Sequence, residues 1–224
     1  MTFAPGASGR LTTYDLPRFG GARLFDHIGR VVCGVGRLPR KELYEAWEVA
    51  RRVRRWHRGG RIIDAAGGHG LLAHVMLLLD DSSPEALVVD PVPPSSSAEL
   101  NRALCAEWPR LQGRVTYHTD DIDHVRLTAT DVVVSIHACG TLTDRILDAA
   151  AAATASVAVL PCCHDVSAGD VAPLGGWLDG PMAIDVTRAL RLQARGYHVR
   201  TQTIPLEITP KNRLLIATPR FHAG

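Results

Sequence analysis

The sequence has no hydrophobic run long enough to cross a membrane. Its longest apolar stretch, Leu71 to Leu79, has nine residues and includes a histidine, whereas a membrane span needs roughly 18. The first residues, MTFAPGASGRL, have neither the basic start nor the apolar centre of a secretion signal. We therefore expect a cytoplasmic protein that has no membrane partner.

Aromatic residues and net charge are both sparse. Aromatics make up 5% of the 224 residues, and the net charge is +2 at pH 7. This balance does not indicate a DNA-binding protein. One segment is locally basic, since Arg40 to Arg61 contains eight Lys or Arg and three Glu. It is either a solvated helix face or a patch that contacts RNA phosphates.

The five cysteines are an odd number, which does not suit a disulfide framework. Buried, reactive or metal-binding thiols remain as alternatives. With 46% hydrophobic and 21% charged residues, the composition is that of an ordinary globular chain. A length of 224 residues favours a single domain.

The hydrophobic pattern predicts how the elements are arranged along the chain. Residues 1–39 show no clear period and are predicted to be an irregular lead-in, and residues 40–224 to be one domain. A helix should run from Lys41 to about Gly59-Gly60, and strands should then alternate with helices. The last two strands are too close to hold a helix between them. The pattern therefore predicts a doubly wound α/β fold, with a mostly parallel seven-stranded sheet and an antiparallel terminal hairpin. The first five predicted strands are RIIDAA, EALVVD, RVTYHT, DVVVSIH and SVAVLP.

A glycine-rich turn joins the first predicted strand to its helix. Asp64 ends the strand, and Gly67, Gly68 and Gly70 follow it. Glycines there let a backbone approach a ligand closely, and the helix N-terminus favours polar or anionic groups. The pattern alone is compatible with a dinucleotide site, with an S-adenosylmethionine site or with close packing.

Acidic residues also end the next two predicted strands. Asp90 follows the second strand about 20 residues after the glycines, where a carboxylate can accept hydrogen bonds from ribose hydroxyls. Asp120 or Asp121 follows the third strand and can accept from an adenine amine. Each aspartate is also an ordinary helix-capping residue. Three polar strand ends at one edge of a sheet favour ligand binding there.

Together, the turn, Asp90 and the terminal hairpin resemble the class I S-adenosylmethionine-dependent methyltransferases over residues 40–219. Ala66 stands where that family usually has its first glycine. The resemblance implies that the cofactor is S-adenosylmethionine and that the methyl group goes to an oxygen, sulfur or nitrogen nucleophile. It further implies that Asp64 and the turn hold the methionine part, that Asp90 holds the ribose, and that Asp121 and Ile122 hold the adenine.

Two further motifs follow the fourth and fifth predicted strands. His-x-Cys-Gly-x-x-Thr-Asp begins at His137, and Cys-Cys-His spans Cys162 to His164. The pair resembles a branch of methyltransferases that includes the tRNA ribose 2′-O-methyltransferases. The chain has neither the zinc-finger modules of those tRNA enzymes nor the Asn/Asp-Pro-Pro-aromatic motif of many amine methyltransferases. Both an RNA and a small-molecule acceptor therefore remain open.

The two motifs allow three interpretations. In the favoured one, His137 is a general base or positions the acceptor and also contacts the cofactor, and Cys139, Cys163 and His164 are catalytic residues on the floor of the same pocket. In the least favoured one, a subset of these same residues binds a metal such as zinc. In the third, the cysteines are small buried hydrophobic residues and the histidines bind backbone carbonyls.

The segment before the first strand supplies candidates for the rim of the acceptor pocket, namely Arg40, Lys41 and Glu42. A catalytically inactive methyltransferase fold that only binds a partner is the non-enzymatic alternative.

Overall fold

The computed structural model describes residues 4–166 and 174–220. Its short β-branched runs form a seven-stranded sheet in the order β3-β2-β1-β4-β5-β7-β6. Strands β1 to β5 are parallel, and β7 is antiparallel to both β5 and β6. The predicted fold class, including the terminal hairpin, is confirmed. The strands are β1 Ile62–Ala65, β2 Ala86–Val89, β3 Val115–His118, β4 Val132–Ser135, β5 Ser156–Val159, β6 Tyr197–Thr203 and β7 Arg213–Pro219.

Helices cover both faces of the sheet and enclose two apolar clusters. Because successive side chains of a strand point to opposite faces, Ile62 joins the cluster of α1 to α4 and Ile63 joins that of α5 and α6. The helices are α1 Leu24–Val35, α2 Arg40–Val53, α3 Leu71–Leu79, α4 Ser97–Glu107, α5 Thr141–Ala152 and α6 Gly180–Ala194. Among the described residues, no helix combines the length and hydrophobicity that a membrane span requires.

The expectation of an irregular lead-in over residues 1–39 is wrong for α1 and for the 3-10 turn Thr13–Phe19. Helix α1 packs tightly against this turn. A side chain at Gly29 would place its Cβ 2.2 Å from the Phe19 ring. The close approach needs a glycine inside the helix, and glycines are poor helix formers. Because of its glycines, this helix was not predicted from residue propensities.

Helix α2 ends at Val53, six residues before the predicted stop at Gly59. The next residue, Arg54, has a side chain that is 3% exposed and lies 3.1 Å from Asp80. Its guanidinium also donates to Ser83 and to the carbonyl of Met76. These contacts anchor the chain just after the helix, before the glycines. The loop predicted from about Asp165 to Pro181 lies partly outside the described residues, and α6 begins within it.

The sheet order reverses between β1 and β4, which lie side by side. In open α/β sheets, a crevice forms at the carboxyl ends of the strands on either side of such a reversal, and ligands bind there. The glycine turn follows β1, and His137 follows β4 by two residues. The topology thus brings the predicted cofactor and acceptor residues to one edge.

Candidate cofactor and acceptor site

The turn between β1 and α3 is packed on one side and open on the other. A Cβ on Gly67 would lie 2.8 Å from Asp64 and from Val88, so the turn has no space there. A Cβ on Gly68 would meet nothing within 4 Å. Ala66 and Gly68 both adopt left-handed backbone, with φ of 54° and 51°. Ala66 thus takes a glycine-like conformation at the position where the family usually has its first glycine.

Asp64 lies beneath this turn and is 1% exposed. Its Oδ2 accepts a hydrogen bond of 3.1 Å from the Ala73 N–H, in the first turn of α3. Its Oδ1 is buried and has no hydrogen-bond partner among the described residues. Burial raises the pKa of Asp64 to about 7. A buried polar atom without a partner is rare in native proteins, and a cationic ligand group would satisfy it.

Asp90 connects the end of β2 to the glycine turn. Its Oδ2 accepts a hydrogen bond of 2.9 Å from the Gly68 N–H, and its Oδ1 accepts one of 2.9 Å from the Val92 N–H. Each carboxylate oxygen has two lone pairs, so both can accept a further bond. Asp90 therefore fixes the turn and still has acceptor sites for ribose hydroxyls.

The residues expected at the adenine make contacts with other side chains of the domain. Asp121 accepts a hydrogen bond of 2.6 Å from Arg145, which lowers the pKa of Asp121. Ile122 is 3% exposed and belongs to the apolar cluster that includes α5. The neighbouring Asp120 lies 2.7 Å from His124. The adenine role of Asp121 and Ile122 stays a prediction.

Sequence reasoning missed His69, which lies between two glycines of the turn. Its Nδ1 is 3.1 Å from the Glu42 carboxylate, and its Nε2 is 3.0 Å from the Ser96 hydroxyl. Its backbone carbonyl accepts a hydrogen bond of 2.9 Å from the Tyr117 hydroxyl. His69 thereby joins the turn to α2, to the start of α4 and to β3. The chain offered no local signal, because Glu42 is 27 residues away.

The structure separates the three predicted rim residues. Glu42 is mostly buried and faces the glycine turn through His69. Lys41 instead pairs with Glu45 at 3.3 Å. Arg40 lies 3.6 Å from Asp15 and donates to the carbonyl of Ala4. Glu42 alone of the three therefore contacts the turn directly.

His137 lies just beyond the end of β4. The residue is open to solvent but recessed, and the surrounding protein lowers the pKa of His137 by desolvation. Glu42 and Asp90 oppose this effect, whereas Lys41 and His69 add to it. These charges come from α2, the glycine turn and the end of β2. The lowered pKa keeps His137 neutral near pH 7, as a hydrogen-bond acceptor or proton acceptor must be.

The two cysteine motifs meet beside His137. The Gly140 N–H donates a 3.1 Å hydrogen bond to the carbonyl of Cys163, and Cys139 and Cys163 form a parallel bridge. The sulfur atoms of Cys139, Cys162 and Cys163 all lie within 4.8 Å of one another. Hydrogen bonds from the other two thiols lower the pKa of Cys163, while burial raises the pKa values of Cys139 and Cys162.

His164 does not join this cluster. Its side chain is 4% exposed, and its Nε2 lies 2.8 Å from Asp185 in α6. Asp185 in turn binds Arg213 and the buried Arg188. The four residues considered at first for a metal were His137, Cys139, Cys163 and His164. The sulfur cluster instead contains Cys162 and, in the described chain, neither histidine.

Most arginines of the basic segment have acidic partners. Arg51 and Arg52 both pair with Glu48, and Arg54 and Arg58 both pair with Asp80. Two carboxylates thus offset half of the charge of these four arginines. These contacts favour the solvated-helix interpretation over a phosphate-binding patch.

The fold and the site define a class I, Rossmann-like methyltransferase domain. Residues 41–168 match the model of a family described as a methyltransferase domain. The match covers over half of the 224 residues, and the chain belongs to this family. A comparison with curated proteins gave no match.

Solved structures of methyltransferases share the fold. An O-methyltransferase family protein from Burkholderia thailandensis has a TM-score of 0.53 and 17% identity, over 92% of this chain and 62% of its own. The mitomycin 7-O-methyltransferase has a TM-score of 0.52 and 16% identity, over 95% and 64%. The m1A22 tRNA methyltransferase of B. subtilis has a TM-score of 0.50 and 12% identity, over 77% and 66%. The chain thus spans less than two thirds of each of these three proteins, and at these identities the likeness concerns the fold.

Proposed function

We propose that this domain transfers a methyl group from S-adenosylmethionine to an oxygen, sulfur or nitrogen nucleophile, and that a small molecule is the acceptor. The observation that carries the proposal is the buried, unpartnered Oδ1 of Asp64 beneath a turn whose Gly68 faces open space. A desolvated carboxyl group beside the glycine turn suits the ammonium group of an amino-acid-bearing ligand, because the ammonium would stabilise the ionised carboxylate.

The residues at this edge fit the parts of the cofactor. Asp64 and the Gly67–Gly70 turn would hold the methionine part, and Asp90 would accept hydrogen bonds from the ribose hydroxyls. Asp121 and Ile122 would lie at the adenine, and His137 at the side of the acceptor. When bound, S-adenosylmethionine supplies a methyl group on a positively charged sulfur, which a nucleophile attacks in a single displacement.

His137 would orient the acceptor and remove its proton. Methyl transfer needs no covalent intermediate with the enzyme, so positioning and proton removal are the main contributions of the protein. The lowered pKa of His137 keeps the imidazole in the neutral form that can take this proton. Glu42 and Asp90 are the acidic groups that would stabilise the imidazolium that results.

The ion pairs of α2 favour a small acceptor over RNA. Arg51 and Arg52 share Glu48, and Arg54 pairs with Asp80, so acidic residues of this chain already offset part of their charge, whereas RNA binding draws on unpaired basic groups. Ribose 2′-O methylation of tRNA is the second candidate. It is favoured by the paired motifs, because Cys139 and Cys163 lie side by side as partners of one bridge.

Methyl incorporation into a desalted cell extract tests both candidates. The extract receives purified protein and radiolabelled S-adenosylmethionine, and label is counted in the soluble fraction and in acid-precipitable RNA. Soluble label supports the small acceptor, and precipitable label that ribonuclease releases supports the tRNA candidate. The His137→Ala variant should lose label and still bind S-adenosylhomocysteine. Binding without any transfer by the unmodified protein would contradict the enzymatic proposal and favour the inactive binding module.

A further inference from the structure

Three thiols lie together at the surface where the loops after β4 and β5 meet. Their sulfur atoms are all within 4.8 Å of one another. In a tetrahedral zinc site, Zn–S bonds of about 2.3 Å place the sulfur atoms about 3.8 Å apart. Small side-chain rotations would therefore change the observed sulfur–sulfur distances into those of a zinc site.

The backbone that carries these thiols is already held in place. Arg188 is 3% exposed, and its guanidinium donates a 3.1 Å hydrogen bond to the carbonyl of Gly140. The same guanidinium binds Asp144 at 2.7 Å. The Gly140 N–H binds the Cys163 carbonyl at 3.1 Å. The two loops thus keep their spacing without help from the thiols, as a preformed ligand set requires.

We propose that Cys139, Cys162 and Cys163 bind one zinc ion through their three thiolates, with a fourth coordination position open to solvent. Cys139 and Cys163 are exposed, which leaves that position accessible. In this set, Cys162 takes the place of the two histidines of the metal site that the sequence suggested, and the proposal is independent of the proposed methyl transfer.

The donor atoms select the kind of metal. All three are sulfur, a ligand that zinc accepts readily and that magnesium and calcium avoid. Three thiolates and a divalent ion leave one negative charge. The Lys211 ammonium, 3.8 Å from the Cys163 sulfur, is placed to offset it. Within the described chain, no histidine or carboxylate belongs to the cluster.

A disulfide is the competing outcome. The Cys139 and Cys162 sulfur atoms are 2.8 Å apart, closer than two thiolates on one zinc ion would be. Zinc binding therefore requires the exposed Cys139 side chain to rotate away from Cys162. A disulfide between these two residues would remove two of the three proposed ligands.

Cobalt substitution tests the proposal. The full chain, purified without a histidine tag and kept reduced, is titrated with Co²⁺ and then with Zn²⁺. We expect one equivalent to bind, with the thiolate charge-transfer and d–d bands of tetrahedral cobalt, and zinc to displace it. Cys163→Ser should weaken zinc affinity at least about 100-fold, because a ligand is lost. Cys105→Ser, outside the cluster, is the matched control and should bind like the unmodified chain.

Two results would overturn the proposal. One is the absence of tetrahedral cobalt bands in the reduced, folded protein. The other is a Cys139–Cys162 disulfide, found by non-reducing peptide mapping, that persists under the reducing conditions of the titration. Far-ultraviolet circular dichroism of each variant without metal establishes that it is folded. Because the readout is metal binding, the result does not depend on methyl transfer.

Discussion

The Asp64 carboxylate accepts a hydrogen bond of 3.1 Å from the Ala73 N–H and so joins the end of β1 to the first turn of α3. This bond satisfies one oxygen, and the other remains buried without a partner in the described chain. The joint fixes the glycine turn between the two elements. It also leaves a desolvated carboxylate that a cationic ligand group would stabilise.

Replacing Asp64 by Asn should change how stability depends on pH. Burial raises the pKa of Asp64 from 3.8 to about 7. Between these values the folded state holds a proton that the unfolded state has lost, so stability falls as pH rises through this window. Asn does not titrate. The stability advantage of Asp64→Asn over the unmodified protein should therefore be smallest near about pH 4, grow up to about pH 7 and stay constant above it.

Urea unfolding of both proteins across this pH range measures the effect. Parallel stability curves for Asp64→Asn and the unmodified protein would contradict the assignment. Affinity for S-adenosylhomocysteine should move in the opposite direction. It should rise with pH in the unmodified protein, as the carboxylate ionises, and show no such rise in the variant.

Ala66→Gly should stabilise the protein. Ala66 has a φ of 54°, which costs an L-residue about 1 kcal/mol and costs glycine almost nothing. Thermal unfolding should show a gain of up to about 1 kcal/mol. Ala106→Gly, on the exposed face of α4, should instead lose about 1 kcal/mol. A loss in both variants would mean that Ala66 is unstrained.

His69→Ala should destabilise the fold and weaken cofactor binding. The variant leaves the buried Glu42 carboxylate without its imidazole partner, at a cost of about 1–3 kcal/mol. It also releases the glycine turn from α2 and α4. His124→Ala is the control, because its partner Asp120 is on the surface, and it should change neither property measurably. Urea unfolding and calorimetry report the two effects, and equal behaviour of both variants would contradict the role of His69.

Arg188→Met should cost about 1–3 kcal/mol, because it removes the hydrogen bonds of a buried guanidinium to the partly exposed Asp144 and to the Gly140 carbonyl, whereas Asp185 keeps His164 and Arg213. The Arg188 side chain is 3% exposed and lies 2.7 Å from Asp144 and 3.3 Å from Asp185. Arg195 makes a comparable contact with Asp148, but that side chain is half exposed. Arg195→Met should therefore cost less than about 1 kcal/mol. Chemical denaturation compares the two, and similar losses would argue against a buried network at α6.

The sheet, and the edge of it at which the candidate site lies, could both be predicted from the sequence. Alternating strands and helices are local patterns, and Asp64, Asp90 and His137 each lie within two residues of the end of a strand. The carboxyl ends of parallel strands lie at the same edge of the sheet, independently of the loop conformations. Residues at these ends are therefore expected to lie near one another. Helix α1 was not predicted, because it contains Gly29, a poor helix former. This glycine is needed for close packing against Phe19, a contact that exists only in the folded chain.

Contacts between side chains that are distant in the sequence could not be predicted from local patterns. His69 contacts Glu42, which is 27 positions away, and Arg54, at the end of α2, pairs with the distant Asp80. The choice between Cys162 and His164 as the neighbour of Cys139 depends on which way each side chain leaves an irregular loop. No periodicity specifies that direction.

Calorimetric titration of Gly68→Ala with S-adenosylhomocysteine tests the central claim most directly. A Cβ at Gly68 enters open space, at a φ of 51° that Ala66 shows alanine to tolerate. Gly113→Ala is the matched control, since Gly113 is also left-handed with nothing nearby and precedes β3 at the opposite edge of the sheet. We predict that the unmodified chain and Gly113→Ala bind one equivalent, and that Gly68→Ala binds at least about 10-fold more weakly, a loss of about 1.4 kcal/mol. Equal affinity in all three proteins, or no binding to the unmodified chain, would contradict the account.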